Sequence, residues 1–510
     1  MVRSTLMPPK LDRSFWLFLL VGVAVRCVAI SQPLIDAHLL RQCQTAAATE
    51  SLINQPGFNL SSRVPWSGDI DDRYLQELPL YNYLVTGVYR VIGNLDVSGK
   101  VTSILLWVAS FLCLQFVWRR LLDREQTNWA NLLFVVAPLG VFFGQAFMPE
   151  MLVQLLAFSF VLLAIRYNEA STLTRWIPCV AVGLIGTLVK LPEIAHLYVI
   201  LIALVFSREG RKALVRPRYL IAAALTIVAL KVWGSYADTV NVGPLSFGSS
   251  QEKLLHTYIG AWDSRFHFLP WAMVGLYLTA FIASGPAALT IGYGLLIFLQ
   301  RQREKILGLW LLSLLFFYLF WFGYTAAAQS YYNLPALAPL CALFGIGMRE
   351  LFSSQYFIRW RRAATIGAAL LVILPAIPIW RYLFRQDRQI FAAARWVRAN
   401  TQPGDVILFR PNHRNEMIDY PFNPIMAYYG KRPAFVWTRY TPEPYRKAAL
   451  ERASYAVVTL RAPAAAGVLE LVNRFRHSSR SPEPTDWLET SGFRIFVRQN
   501  DFLVYARNRP

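Results

Sequence analysis

The chain of 510 residues is 55% hydrophobic and only 16% charged, and its apolar residues gather in stretches of about 17–25, the length that crosses a bilayer core. That patterning excludes a soluble globular protein and points to a polytopic α-helical membrane protein. The formal net charge of +21 would direct a soluble chain to nucleic acid. Here much of it lies in short loops between apolar segments, where Lys and Arg set orientation, so no nucleic-acid partner is expected. The five cysteines, Cys27, Cys43, Cys113, Cys179 and Cys341, show neither metal-type spacing nor a disulfide framework.

In chain order, Arg3, Lys10 and Arg13 precede the first apolar segment, 14–30. The positive flank places the N-terminus in the cytoplasm. The segment lacks a small-residue cleavage site and reads as a retained helix rather than a signal peptide. A first outer loop, 33–100, follows. Its part from Asp36 to Leu84 carries Asp36, His38, Arg41, Gln42, Glu50, Asp69, Asp71, Asp72 and Glu77. A polar loop held at the membrane surface reads as the wall of an active site; the plainer reading is an ordinary solvated loop. Leu78–Ile92 is apolar but broken by Pro79, Asn82 and Gly87, and reads as a juxtamembrane helix on the outer surface. Were it a full span, Arg119, Arg120 and Arg124 would fall on the wrong side.

Further spans are expected at 101–118, 128–146, 150–166, 177–190, 192–206, 219–235, 271–299, 307–323, 331–348 and 363–380, about eleven in all with the first. The segment 271–299 is long for one span and contains Gly285–Pro286, a place for a kink. A second long outer loop covers 236–268. Residues 1–384 thus form a transmembrane domain. Residues 385–510 contain no span-length run. They alternate β-type runs (406–409, 434–437, 455–460, 494–497, 502–505) with helical stretches (391–400, 444–453, 466–476), the pattern of an outer, periplasmic α/β domain. Its many arginines suit anionic headgroups.

Asp36 and His38 stand at the outer membrane edge, where an ionisable group is costly unless paired or functional. Asp36 could instead cap the following helix. On a helix, His38 and Gln42 share a face, whereas Arg41 is not an i,i+4 partner of Asp36. Glu150, in FMPEML between two apolar segments, either occupies a helix's first turn or serves the site. Two acids from different outer turns could share a divalent cation (Mg, Mn or Zn), with Asp36, Glu150 and His38 as ligands, or one could act as a base. Glu77 in QELPLYNYL reads by default as a helix-start residue. Lys190 in GTLVKLPE either snorkels to the interface or anchors an anion, and Arg265 and His267 are outer-loop candidates for the same task. Tyr331 and Tyr332 in QSYYNLP read by default as an aromatic belt.

Taken in order, the DxHxxRQxxTA pattern at Asp36, ELPLYNYL, the Pro149–Glu150 pair, TLVKLPE, QSYYNLP and NPIMAYYGKRP resemble the bacterial membrane glycosyltransferases of the GT-C superfamily. The likeness is to the protein mannosyltransferase and lipid A aminoarabinose transferase type, families 39 and 83, and covers essentially the whole chain. It implies a GT-C fold, a polyprenyl-phosphate (undecaprenyl-phosphate) sugar donor, and a lipid, glycan or protein acceptor reached from the periplasmic side of a bacterial inner membrane. The family's catalytic base falls on Asp36. Its second acid, usually Asp, falls on Glu150, which keeps the charge on a longer arm. The Lys-Pro-Pro-Leu of many relatives is Glu77–Leu80 here, without the lysine, and a histidine often preceding the Tyr-Tyr pair is Gln329.

The implied chemistry is a single displacement with inversion. A carboxylate takes the acceptor hydroxyl's proton, and Lys190, Arg265, Arg41 or a metal stabilises the departing phosphate. His38, Gln42, Glu77, Tyr331 and Tyr332 are candidate substrate-binding residues beside them. One alternative is a lipid-linked glycan flippase, which should place its binding groups near the midplane, where this chain is mostly apolar. Another is a polysaccharide polymerase or ligase, for which arginine-dominated outer loops would speak.

Overall fold

The computed structural model describes residues 12–64, 68, 73–75, 77–241, 262–301, 305–320, 329–354, 360–411, 423–438, 441, 443–460, 486–499 and 501–507. Asp69, Asp71, Asp72, most of the 236–268 loop and the 466–476 stretch lie outside them. The membrane body is built from α1 (Arg13–Cys27), α2 (Leu39–Asn54), α3 (Leu80–Ile92), α4 (Leu95–Leu121), α5 (Arg124–Val136), α6 (Pro138–Phe143), α7 (Glu150–Glu169), α8 (Leu173–Ala195), α9 (Tyr198–Glu209) and α10 (Pro217–Val240). It continues through α11 (Phe268–Ile282), α12 (Ala287–Arg301), α13 (Lys305–Phe320), a 3₁₀ turn (Ser330–Ala336), α14 (Leu337–Ser353) and α15 (Arg361–Leu383).

Among the described residues six helical runs are long and apolar enough to cross a membrane, or seven if the bent pair α11–α12 counts as one. The remaining expected segments are shorter or broken helices, for identifiable reasons. The segment 128–146 is divided at Ala137, whose ψ of 122° leaves the helix so that Pro138 can open α6; proline has no N–H to continue α5. The segments 177–190 and 192–206 are cut differently. Helix α8 breaks at Lys190 (φ −161°, ψ 92°) and α9 starts only at Tyr198. The segment 271–299 is no single straight span, because α11 and α12 meet at 103° around Ser284–Gly285.

The break at Pro138 carries its own brace. The Arg26 guanidinium, fully buried in α1, donates to the carbonyls of Gly22 (3.0 Å), Val135 (3.3 Å) and Gly140 (2.8 Å). It also lies 3.7 Å over the Trp107 ring. It thereby satisfies backbone groups that a broken helix leaves open. Gly144 permits this approach, since a Cβ there would meet Arg26 Nε.

Helices α4, α5, α7, α8, α12 and α14 pack into one continuous core. By contrast, no residue in the apolar stretch of α10 is buried. That helix is tied at its ends instead. Near its start Tyr219 meets Trp176 at 5.0 Å between ring centroids and Tyr167 Oη at 2.7 Å. Just past its end the Asn241 amide clasps the Leu75 N–H (3.0 Å) and C=O (2.7 Å).

After α15 the chain forms α16 (Arg388–Asn400), β3 (Ile407–Arg410), α17 (Ile425–Gly430), β4 (Ala434–Val436), α18 (Glu443–Arg452), β5 (Tyr455–Thr459), α19 (Asp486–Thr490), β6 (Phe493–Arg498) and β7 (Phe502–Arg507). A two-residue pairing within the first loop supplies β1 (Ser62–Arg63) and β2 (Arg73–Tyr74). The five later strands form one sheet in the order β4-β3-β5-β7-β6, with β3 parallel to β4 and β5 and the other pairs antiparallel. Side chains alternate between its faces. Ile407, Phe409, Val457 and Val504 join the core of the membrane body, whereas Leu408, Phe435, Val458 and Tyr505 pack with Tyr445 and Ala449 of α18. Burial on both sides explains why the central strands read as continuous apolar runs.

Candidate active site around Asp36

The loop from α1 to α2 is pinned from behind by hydrogen bonds to its backbone. Asp387 N donates to Ile35 O at 2.8 Å, Ala37 N to Leu383 O at 3.1 Å, and Leu34 N to Tyr429 Oη at 2.6 Å. This holds Asp36 buried, at 4% exposure. Its carboxylate accepts from Gln42 Nε2 at 2.5 Å, and Gln42 Oε1 accepts from Phe147 N at 3.0 Å. An N–H at the end of the α6 turn therefore fixes which way the amide points, and the amide fixes the carboxylate. His38, not Asp36, holds the cap position of α2. Burial pushes the Asp36 carboxyl up to about 6, against the Lys100 charge and the Gln42 hydrogen bond, which favour its ionised form.

His38 Nε2 lies 2.8 Å from Ser330 Oγ, and its ring touches Phe142, Phe143 and Tyr331. Burial, reinforced by the Lys190 charge, holds the imidazole down at about 4, so at neutral pH it is an uncharged hydrogen-bonding group. Tyr331 and Tyr332 are both buried. They form no aromatic belt. They line an interior wall instead, with the Lys190 ammonium 4.4 and 4.7 Å from their ring centroids.

Lys190 does not snorkel to the surface. The break in α8 turns it inward, where it reaches Glu150 Oε1 at 2.8 Å and Glu193 Oε1 at 2.6 Å, all three side chains being almost fully buried. Next to this cluster Arg41 bonds Glu77 Oε1 at 2.6 Å and Gln44 Oε1 at 2.8 Å. Glu77 thus forms an ion pair, while Pro79 takes the cap position of α3 without a side-chain bond. Burial raises the Glu77 carboxyl, with Arg41 and then Lys190 opposing.

Asp36, His38, Gln42, Arg41, Glu77, Glu150, Lys190, Tyr331 and Tyr332 are therefore linked by direct contacts or through-space charge. Arg265 is placed elsewhere. It is half-buried, donates to the carbonyls of Leu319 (2.7 Å) and Phe320 (3.3 Å), and stacks 4.1 Å over Trp262. Its described role is to close the C-terminal end of α13.

The residues expected to share a divalent ion do not fit one. Asp36 is held by Gln42, His38 by Ser330 and Glu150 by the Lys190 ammonium, which takes the cation's place. Among the described residues no three His, Cys, Asp or Glu side chains converge as a ligand set.

Two contributors escaped the sequence reading. Lys100, buried in α4, donates to Ala29 O (2.8 Å) and Gln32 O (2.6 Å) behind the Asp36 loop. A span drawn from residue 101 left it outside as a flank. Glu193 was visible as the acid in KLPE, three residues after Lys190, a helical pairing distance.

Residues 76–236 match the sequence family described as dolichyl-phosphate-mannose-protein mannosyltransferase. Among solved structures, ArnT from Cupriavidus metallidurans bound to undecaprenyl phosphate superposes with a TM-score of 0.59 at 12% identity, over 97% of this chain and 98% of that one. Its apo form gives 0.58 at 12% identity, over 96% and 97%. The apo oligosaccharyltransferase of Archaeoglobus fulgidus gives 0.52 at 13% identity, over 87% of this chain and 69% of that one. No curated protein matches the sequence.

Proposed function

We infer that this chain, which has the fold of the GT-C superfamily of membrane glycosyltransferases, is an inverting enzyme. It moves a sugar from a polyprenyl-phosphate donor to an acceptor hydroxyl on a lipid, glycan or protein. The observation that carries the reading is the buried Asp36 carboxylate, aimed by Gln42 and held in a loop tied to three other parts of the chain. In the displacement, the bond from the anomeric carbon to the phosphate oxygen breaks as the bond to the acceptor oxygen forms. The hydroxyl proton passes to Asp36, and the leaving phosphate takes the electron pair. General-base assistance of this kind is worth about two to four decades in rate. The Lys190 and Arg41 charges, held among the tyrosine pair and the Glu77 and Glu150 carboxylates, are available to the phosphate. Because Lys190 already faces two carboxylates, donor binding requires it to share its protons with the phosphate. No step is assigned to a metal.

The reading sets a transmembrane domain, 1–384, in a bacterial inner membrane, with a cytoplasmic N-terminus and about eleven crossing or broken segments. The α/β domain, 385–510, covers the outer, periplasmic end. Helix α10, fastened at its ends and bare between, suits the side on which a lipid-borne donor would enter from the bilayer. The test is transfer from a radiolabelled pool of polyprenyl-phosphate sugars in reconstituted membranes. Wild type should transfer, and Asp36→Asn should fold and bind donor without transferring. Equal transfer by both would remove Asp36 as the base. Lipid scrambling by both, with no transfer, would favour the flippase.

A further inference from the structure

Two adjoining hollows, of 690 and 440 Å³, open beside the Asp36 loop and share Asn94, Asp96, Arg398 and Tyr429. They form one groove, and each part has the size of a small-ligand site. Ser31 and Pro33, just ahead of Asp36, wall one end, and Glu50, Tyr89 and Lys431 wall the other.

The groove's acids are engaged. Asp96 accepts from the hydroxyls of Tyr428 (2.6 Å) and Tyr429 (2.8 Å), and Glu50 pairs with Lys431 at 2.6 Å. Its arginines differ. Arg395 and Arg398, three apart on one face of α16, are exposed, and neither forms an ion pair among the described residues. Arg395 only overlies the Phe391 ring, at 6.0 Å. The cations of the lining outnumber its carboxylates.

Two helices, α3, which lines the groove through Tyr89, and α15, which leads into α16, have bare apolar surface. Helix α15, with exposed Leu370, Leu371 and Leu374, ends at Leu383, and α16 begins at Arg388. Helix α3 exposes Leu84, Val91 and Ile92 in the manner of an interfacial helix. Gly93, with φ of 75°, then turns the chain into Asn94. The groove therefore opens where a bilayer surface meets both elements, a depth at which arginines are drawn to anionic lipid.

We propose that this groove binds the headgroup of an anionic glycerophospholipid, with the phosphate between Arg395 and Arg398 and the polar head against Asn94 and the Tyr429 ring. The bound lipid bridges α16 to the α3–α4 turn. It thereby braces the Asp36 loop, which Tyr429 holds through Leu34 N. The assignment does not depend on the transfer reaction.

The test is titration of the full-length protein with fluorescent phosphatidylglycerol in nanodiscs of phosphatidylcholine. Wild type should take phosphatidylglycerol in preference to labelled phosphatidylcholine. Arg395→Gln with Arg398→Gln should weaken it roughly thirty-fold, from about 1 kcal/mol per arginine at such a surface. Arg494→Gln with Arg498→Gln, an equal charge loss on exposed positions of β6, should leave it unchanged. Arg398→Glu alone should abolish the preference, and unaltered thermal midpoints in phosphatidylcholine would show that these variants fold. Equal weakening by both double variants would overturn the site in favour of diffuse attraction. Competition by glycerol phosphate as strong as by the lipid would reassign it to a soluble anion. Preferential displacement by polyprenyl phosphate would reassign it to the sugar donor.

Discussion

Helix α4 carries charge at both ends, and the two ends behave differently. At its start, Lys100 is buried behind the Asp36 loop and, among the described residues, bonds only to carbonyls. Some twenty residues later, roughly 30 Å along the axis, Arg120 pairs with Glu169 on a half-exposed surface, and Arg124 just beyond pairs with Asp12. Ion pairs of the second kind contribute little and cost little. Charges of the first kind are expensive to desolvate and survive only when every partner is in place. A chain that buries Asp36, Glu150, Lys190, Glu193 and Lys100 at one end of its bundle accepts a cost there that it avoids at the other. Function is the simplest physical reason for it.

The contrast can be broken in graded steps. Asp36→Asn should have the largest effect, lowering transfer by about two to four decades with donor affinity kept, as single-turnover kinetics would show. Lys190→Met should follow, because it leaves Glu150 and Glu193 buried without their ammonium. The expected loss is roughly 3–5 kcal/mol in stability, read by unfolding in detergent, and adding Glu193→Gln in the same chain should recover part of it. A stability equal to wild type in the single variant would mean that the triad is not a coupled unit. For the half-buried Arg41–Glu77 pair, a double-mutant cycle with Arg41→Gln and Glu77→Gln should return a coupling of roughly 1–2 kcal/mol. At the far end Arg361→Gln, which breaks the exposed pair with Glu125, should change stability by about 0–1 kcal/mol.

Much of this arrangement was legible beforehand, and the exceptions have physical causes. Strands β3, β4 and β5 of the five-stranded sheet follow the β-type runs because burial on both faces writes a continuous apolar signal. Asp36, His38, Gln42, Glu150, Lys190 and the tyrosine pair stood out because polar groups at a membrane edge are conspicuous against apolar flanks. Their pairings were not legible. Lys190 meets Glu150 across 40 positions, and His38 meets Ser330 across 292, distances over which local pattern carries no information. A hydropathy window averages across Pro138, and so draws one continuous span, 128–146, where the backbone turns. Arg265 looked like a ligand for an anion because its sequence shows only a charge in a loop, not the two carbonyls at the end of α13 that occupy it. The NPIMAYYGKRP stretch marked the family likeness. In the structure its tyrosines and lysine fasten the α/β domain to Asp96 of α4, to Glu50 of α2 and, through Leu34 N, to the loop that carries Asp36.

The claim that Asp36 is a buried base is tested most directly by the pH dependence of the transfer step in single turnover. Burial raises its carboxyl to about 6, and the base must be ionised to accept a proton. The account predicts a rate that climbs with pH, about tenfold per unit below 6, and levels above it. Replacing Asp36 by Asn should remove the break along with the activity. A rate that is flat from acid to neutral pH, or that falls as pH rises through 6, would contradict the account.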